Sequence, residues 1–183
     1  MYWYKSKLLI TIGLGFSLIS GLQACRPDIK ENRANMKYFD LQGYFKGDSA
    51  RLSRSNPTIL KKVEHNNIAE SKKIHIKNWG TELSLFSQSD INKPAWKDSY
   101  SIITSGNTVT YRALDTALKT RSISIQKING KIKCITIFNS SNNTLYHTQE
   151  KLSYFPDSLY LIQKVQSVML LGTNRYTISG KFN

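Results

Sequence analysis

Few residues in this sequence could do acid, base or nucleophilic chemistry, and they lie far apart. The three histidines, His65, His75 and His147, lack the helical i, i+4 spacing that binds a metal, and no pair of cysteines accompanies them. There is no Gly-x-Ser-x-Gly nucleophile motif and no phosphate-binding loop. The 12 carboxylates show no spacing typical of a general acid paired with a general base. The sequence therefore predicts a protein that is not an enzyme and uses no metal or cofactor.

Cys25 is the residue whose position best suits a chemical modification. It follows an uncharged, mainly apolar run over residues 8–21, and Lys5 and Lys7 precede that run. A basic segment followed by such a run is typical of a secretory signal peptide. The run is shorter than the roughly 20 apolar residues that a membrane-spanning helix needs. A thiol is the one strong nucleophile among the side chains at modest pH, which suits Cys25 to modification.

The residues Leu22-Gln23-Ala24-Cys25 resemble the lipobox of bacterial lipoproteins. The lipobox has an aliphatic residue three places before the cut, a small residue just before it, and an obligatory cysteine after it. Gln23 departs from the small or β-branched residue usual at its place. The resemblance implies cleavage before Cys25, attachment of diacylglycerol to its thiol, and acylation of the new amine by a chain such as palmitate. An ordinary signal peptide with a chance cysteine and an uncleaved anchor helix are the alternatives.

This resemblance divides the chain into a signal peptide (1–24), a lipidated flexible tether (25–36) and a single domain (37–183). It implies a membrane-anchored domain that faces outside the cytoplasm. Arg26 follows the cysteine, in place of the aspartate that retains lipoproteins at the inner membrane of some bacteria, so we expect the outer membrane. The body is similar to uncharacterised lipoproteins of the Bacteroidota, and this similarity implies no activity. It is carried by Tyr38–Phe45, Trp79 and Ser89–Tyr100.

The predicted mature chain is strongly basic. Without Lys5 and Lys7 the 26 Lys and Arg residues fall to 24, and against 12 acidic residues this leaves a net charge of +12. Outside the cytoplasm nucleic acid is not the expected partner, whereas anionic lipid headgroups and glycans are. The basic side chains form either one positive face or an ordinary solvated surface. They include Lys61, Lys62, Lys72, Lys73, Lys93, Lys97, Lys131 and Lys133.

Hydrophobic periodicity predicts an α+β domain with its helices in the N-terminal half. A helix is expected over 37–54, with Tyr38, Leu41, Phe45 and Leu52 on one face, and a second from Thr81 to about Ile91. The expected strands are 58–63, 72–77, 100–104, 108–112, 122–128, 131–138, 144–154, 158–169 and 174–182. Short turns between consecutive strands indicate an antiparallel curved β-meander, packed against one or two of the helices.

The clearest hairpin is centred on Asn129-Gly130, because Asn-Gly is the favoured two-residue turn. Its register predicts that Ile125 pairs with Cys134 and Ile123 with Thr136. Cys134 is therefore expected in the core, since Cys25 is used by lipid and leaves it no disulfide partner. The alternative is a nucleophile beside His147. The predicted buried face contains Ile123, Ile125, Ile132, Cys134 and Phe138.

The segment Ser89–Tyr100 is the most distinctive part of the body, and it supplies the candidate binding residues Trp96, Tyr100, Asp90 and Asp98. Either Trp96 stacks on a ligand, or it fills the joint between helix and sheet while the two aspartates bond backbone amides. The first functional hypothesis is a non-catalytic binding domain for an apolar ligand, a lipid or an envelope protein. The alternative is a structural or assembly lipoprotein whose basic face contacts anionic lipid or glycan. A hydrolase is the third. A cavity between sheet and helix would favour the first hypothesis, and a solid core with one positive face the second.

Overall fold

The computed structural model describes residues 36–183. The predicted signal peptide, Cys25 with its lipobox, and all of the tether except Met36 lie outside the described residues. None of the helices formed by residues 36–183 is long and apolar enough to cross a membrane. In chain order the elements are α1 (Leu41–Ser55), β1 (Thr58–His65), β2 (Ile68–His75), α2 (Trp79–Glu82), α3 (Ser84–Ser87), a 3-10 turn (Pro94–Trp96), β3 (Tyr100–Ser105), β4 (Thr108–Ala113), β5 (Thr120–Ile128), β6 (Lys131–Asn142), β7 (Tyr146–Phe155), β8 (Leu159–Val168) and β9 (Gly172–Phe182).

All nine strands of the described chain belong to one antiparallel sheet with the order β2-β1-β9-β8-β7-β6-β5-β4-β3. Strands β3 to β9 follow one another as a meander. The hairpin β1–β2 joins this meander through β1, which pairs with the last strand, β9. The prediction of an antiparallel sheet accompanied by few helices is confirmed. The pairing of β1 with β9 was not predicted, because no local pattern reports contacts between residues so distant in the chain.

Helix α1 begins and ends at capping residues that the sequence supplies. The carboxylate of Asp40 accepts a hydrogen bond from the amide of Gly43 at 2.7 Å, which fixes the start of the helix at Leu41. At the other end Asn56 adopts a left-handed conformation with φ of 42°, and Pro57 follows. The predicted start at residue 37 is wrong because Asp40 is the cap. The predicted apolar stripe is buried throughout, at Tyr38, Leu41, Phe45 and Leu52.

The second predicted helix is two short helices, and its predicted cap is wrong. Asn78, not Thr81, is the N-cap, and its side-chain oxygen accepts a hydrogen bond from the Thr81 amide at 3.0 Å. Leu83 separates α2 from α3, with φ of −96° and ψ of 11° outside the helical range. Helix α3 ends at Ser87, before the predicted end at Ile91. Leu83 and Phe86 are buried, as expected from their spacing.

The β5–β6 hairpin has the predicted turn but a different register. Ile128 pairs with Lys131 as the Asn-Gly turn requires, yet Gln126 pairs with Cys134. One residue of β6, Lys133, is therefore extra, and this bulge displaces the pairs from Gln126–Cys134 to Ser122–Phe138 by one position. The predicted pairs of Ile125 with Cys134 and of Ile123 with Thr136 are consequently wrong.

Because side chains alternate between the two faces of a strand, this one-residue shift also exchanges the predicted buried residues of β6. Ile125 pairs with Ile135 and Ile123 with Ile137, and these four side chains are at most 2% exposed. Cys134 is only half-buried, so the prediction that it belongs to the core is wrong. The same correction applies to Phe138, which is 37% exposed.

Aromatic side chains fill the space between the helices and the sheet. The ring of Phe45 on α1 lies 5.1 Å from that of Phe86 on α3 and 5.1 Å from that of Tyr154 on β7. Trp79 on α2 is fully buried and stacks on Phe182 of β9 with 5.6 Å between ring centroids. Each of these large rings removes a large apolar area from water when it is buried.

Candidate functional site

Asp90, one of the four candidate binding residues, accepts hydrogen bonds from backbone amides within the domain. Its Oδ1 accepts a hydrogen bond from the amide of Leu41 at 3.1 Å, and its Oδ2 accepts one from the amide of Asn92 at 3.0 Å. The amide of Leu41 belongs to the first turn of α1, so the Asp90 carboxylate meets the positive end of that helix. Asp90 therefore anchors the segment Ser89–Tyr100 to α1.

The other three candidates also have partners of their own within the domain. The Tyr100 hydroxyl donates to the carbonyl of Thr120 at 2.9 Å, and burial raises the pKa of Tyr100 to about 12. The Trp96 ring is covered by the ammonium group of Lys93, 4.1 Å from its centroid. Asp98 bonds Lys37 at 2.7 Å, which lowers the pKa of that carboxyl.

The histidines and Cys134 remain apart in the fold. His147 pairs with Asn142, eight residues further along β6 than Cys134, which places them about 26 Å apart at the usual rise of a strand. His75 bonds the carbonyl of Asn56 at 3.0 Å. His65 stacks on Tyr176 with 4.5 Å between ring centroids. Within residues 36–183 no three His, Cys, Asp or Glu side chains lie close enough together to hold a metal ion.

A buried polar cluster around Glu150 was not predicted from the sequence. Glu150 is 5% exposed, and its carboxylate lies 3.7 Å from the ammonium group of Lys164 and 3.9 Å from that of Lys119. The amide nitrogen of Asn139 donates to Glu150 at 3.3 Å and to the Ser89 hydroxyl at 2.9 Å. This cluster joins the segment after α3 to three strands, and its members bond mainly one another. The strand residues of this cluster could be recognised because they face the inside of the sheet. The register that places them there depends on the bulge at Lys133.

The lysines do not form a single positive face. Lys61 and Lys62 are consecutive in β1 and therefore point to opposite sides of the sheet, and the same holds for Lys72 and Lys73 in β2. Lys61 is also 2.7 Å from the Glu82 carboxylate, and Lys62 is 3.0 Å from that of Glu64. Of the two alternatives, these four lysines fit an ordinary solvated surface and not one positive face.

The strongest candidate for a functional surface is an exposed apolar patch formed by two neighbouring hairpin ends. In the turn between β8 and β9, Met169 is 59% exposed, Leu170 98% and Leu171 79%. Leu145, in the turn between β6 and β7, is 65% exposed. We call these four residues the apolar tip. Consecutive exposed apolar side chains in a turn are unusual, because turns normally consist of small and polar residues.

Hydrogen bonds hold the two hairpin ends together. The amide of Met169 donates to the carbonyl of Leu145 at 2.9 Å. The side chain of Asn143 accepts from the amides of Leu145 and Tyr146 at 2.8 and 2.9 Å, which closes the β6–β7 turn. Between the two turns lies a shallow, open depression of about 270 Å³ lined by residues 142–147 and 167–169. The apolar tip is therefore one connected surface.

The turns at the opposite end of the sheet are polar. They consist of Gly106-Asn107, Asn129-Gly130 and Pro156-Asp157-Ser158. The apolar composition is therefore restricted to the β6–β7 and β8–β9 turns, since the β1–β2 turn Asn66-Asn67, at the same end of the sheet, is also polar. In the sequence, the β8–β9 turn of the apolar tip lies within the run Val168-Met169-Leu170-Leu171, followed by Gly172. The predicted strand 158–169 included the first two residues of this run, so the run was not recognised as a turn.

No protein-family model matches this sequence, and no curated protein and no solved structure is significantly similar to it. The residues and their geometry are therefore the basis for assigning a function.

Proposed function

We propose that this chain is a cell-envelope lipoprotein, held on the outer membrane by lipid on Cys25, whose residues 37–183 form a non-catalytic binding domain. In this proposal the sheet curves around α1, and the domain binds its partner through its outer surface. The single observation that carries the binding role is the apolar tip. Four large apolar side chains that are 59% to 98% exposed favour contact with an apolar partner in the envelope.

The packing between helices and sheet supports binding at the surface over binding in an enclosed cavity. Phe45, Phe86 and Tyr154 occupy the space in which an apolar ligand would have to lie between α1 and the sheet, and all three are at most 1% exposed. Interiors packed at this density accept a ligand only by displacing side chains. The apolar tip needs no such rearrangement.

The alternative, a basic face against anionic lipid or glycan, has less support. The four lysines of Lys61-Lys62 and Lys72-Lys73 divide between both sides of the sheet, and Lys61 and Lys62 are paired with carboxylates. The net charge of +12 predicted for the mature chain still attracts the domain to an anionic surface, because charge acts over about a Debye length without close contact.

The anchor can be tested by counting thiols. The mature chain retains two cysteines, Cys25 and Cys134. If lipid occupies Cys25, the unfolded purified protein has one titratable thiol, and Cys134→Ser reduces this to none. In cells fed a fatty-acid analogue, the natural chain should carry label and Cys25→Ser should not. Two thiols in the unfolded chain, or label that persists on Cys25→Ser, would show the anchor to be wrong.

The binding role can be tested by photo-cross-linking in intact cells. A photoreactive phenylalanine analogue replaces Leu170, and in a matched control it replaces Ile128, which is 42% exposed at the opposite end of the sheet. The proposal predicts that the analogue at position 170 cross-links to a lipid or protein of the envelope and that the analogue at 128 does so much less. Equal cross-linking at both positions would contradict a binding role for the apolar tip.

A further inference from the structure

We propose that the apolar tip inserts into the bilayer interface of the membrane that carries the lipid anchor, so that the domain stands on the membrane with the β8–β9 turn down. This inference rests on the proposed function and identifies the apolar partner as lipid. The side chains that enter are those of Met169, Leu170 and Leu171, with Leu145 beside them.

Neither hairpin end carries a charge that would have to leave water. Residues 165–174 around the first turn and 134–149 around the second contain no Lys, Arg, Asp or Glu. Each unpaired charge in the hydrocarbon region would strongly oppose insertion. Tyr146, which is 39% exposed next to Leu145, is a residue type that favours the boundary between lipid and water.

Cations flank the uncharged stretch on both strands of the β8–β9 hairpin. Lys164 precedes it and Arg175 follows it. At the usual rise of a strand, Lys164 lies about 13 Å and Arg175 about 10 Å from the last paired residues, Val168 and Gly172. Arg175 is exposed, and its long basic side chain at this distance from an inserted end reaches the anionic headgroups. Lys164 instead faces the buried carboxylate of Glu150 at 3.7 Å.

The chain enters the domain at the end of the sheet that carries the apolar tip. Lys37, near the start of the described chain, bonds Asp98 at 2.7 Å, two residues before β3 begins at Tyr100. In an antiparallel meander β3 and β7 begin at the same end, where β6 and β8 finish. A tether that leads back to Cys25 therefore leaves the domain at the same end of the sheet as the apolar tip, five strands away from β8. This placement favours a bilayer over a partner on the opposite side.

The test uses the mature lipidated chain reconstituted in vesicles of phosphatidylglycerol and phosphatidylcholine, the latter brominated on its acyl chains close to the headgroup. Tryptophan replaces Leu170, and in the control it replaces Ile128. The chain without either substitution supplies the baseline from Trp79 and Trp96. We expect the emission of Leu170→Trp to move to shorter wavelength and to be quenched by bromine, and that of Ile128→Trp to do neither.

If Leu170→Trp fails to fold, Met169→Trp reports on the same turn without occupying Leu170, whose backbone has a φ of 68°. Unquenched, solvent-like emission from either probe in a chain that carries fatty acid on Cys25 would overturn insertion. The proposed function would survive that result, with a protein as the apolar partner. A chain without fatty acid on Cys25 would overturn both proposals.

A second measurement tests the role of the apolar side chains themselves. Leu171→Ser in the background of Leu170→Trp removes one apolar group and should reduce quenching, because each buried leucine side chain shifts partitioning by about tenfold or more. Leu60→Ser in the same background is the control, since Leu60 is 37% exposed on β1, away from the apolar tip. Equal quenching in the two double variants would overturn the assignment of Leu171 to the inserted surface.

Discussion

The hydroxyl of Tyr154 on β7 donates a hydrogen bond to the carboxylate of Asp48 on α1, and this bond lies inside the core. Asp48 also pairs with Arg51 at 2.6 Å, and Arg51 reaches Asp157 in the β7–β8 turn at 2.7 Å. Burial, followed by the bond to Asp48, raises the pKa of Tyr154 far above its usual value. One hydrogen-bonded chain thus connects the long helix, the sheet and a turn.

Tyr154→Phe should lower the free energy of unfolding by about 1–3 kcal/mol, because Asp48 would keep its buried carboxylate but lose a hydrogen-bond donor. Urea unfolding followed by circular dichroism measures the change. Tyr146→Phe is the matched control, because Tyr146 is 39% exposed. The double variant Asp48→Asn/Tyr154→Phe should be less destabilised than the sum of its single variants. Additive effects would mean that the two groups do not interact.

Two glycines should respond in opposite directions to alanine. Gly47 lies inside α1 with nothing near the position of an added Cβ, so Gly47→Ala should raise the free energy of unfolding by about 0.5–1 kcal/mol. At Gly180 an added Cβ would overlap the ring of Tyr160, so Gly180→Ala should lower it by about 1–3 kcal/mol.

Thermal and urea unfolding of both variants give these values. In the background of Tyr160→Leu, which removes the ring, Gly180→Ala should lower the free energy of unfolding by less than it does in the natural chain. An equal loss in both backgrounds would show that the alanine acts through the backbone of β9 and not through the Tyr160 ring.

Alkaline pH should destabilise the domain through its buried tyrosines. Burial raises the pKa of both Tyr44 and Tyr100 from 10.0 to about 12. Between these pH values the unfolded chain has released protons that the folded chain retains. The stabilising contribution is therefore complete below about pH 10 and is lost as the pH rises towards 12. Urea midpoints measured across this range test the slope, which should be shallower in Tyr100→Phe. An identical slope in that variant would contradict the contribution of Tyr100.

Local signals predicted much of this fold. The spacing of Leu41, Phe45 and Leu52 identified α1, and the turn at Asn129-Gly130 identified the β5–β6 hairpin. These predictions depend on residues that are close in sequence. The bulge at Lys133 has no local signal, and it alone moved Cys134 out of the core. Register errors of this kind are expected where a turn is read without its partner strand.

The candidate sites also differ in how well local sequence signals predict them. The segment Ser89–Tyr100 is distinctive in sequence because its side chains anchor α1 and neighbouring elements, as the bond from Leu41 to Asp90 shows. The distinctive composition of this segment therefore reflects contacts with residues that are distant in the sequence. The apolar tip was overlooked because Met169 continues the hydrophobic pattern of β8, and only the hairpin geometry shows that its side chain is exposed. Exposure depends on the surrounding chain, which periodicity does not report.

Leu170 combines the largest exposure of the apolar tip with an unfavourable backbone, since its φ is 68° and left-handed conformations are costly for residues other than glycine and asparagine. Leu170→Asn should therefore raise the free energy of unfolding by about 0.5–1 kcal/mol. When it is combined with the probe Met169→Trp, it should also abolish the quenching of that tryptophan by bromine. Leu171→Asn is the control, because Leu171 is not among the residues with positive φ and gains no backbone relief. It should weaken insertion without stabilising the fold. If Leu170→Asn left quenching intact, the exposed leucine would have no role at the membrane, and its strained backbone would need another explanation.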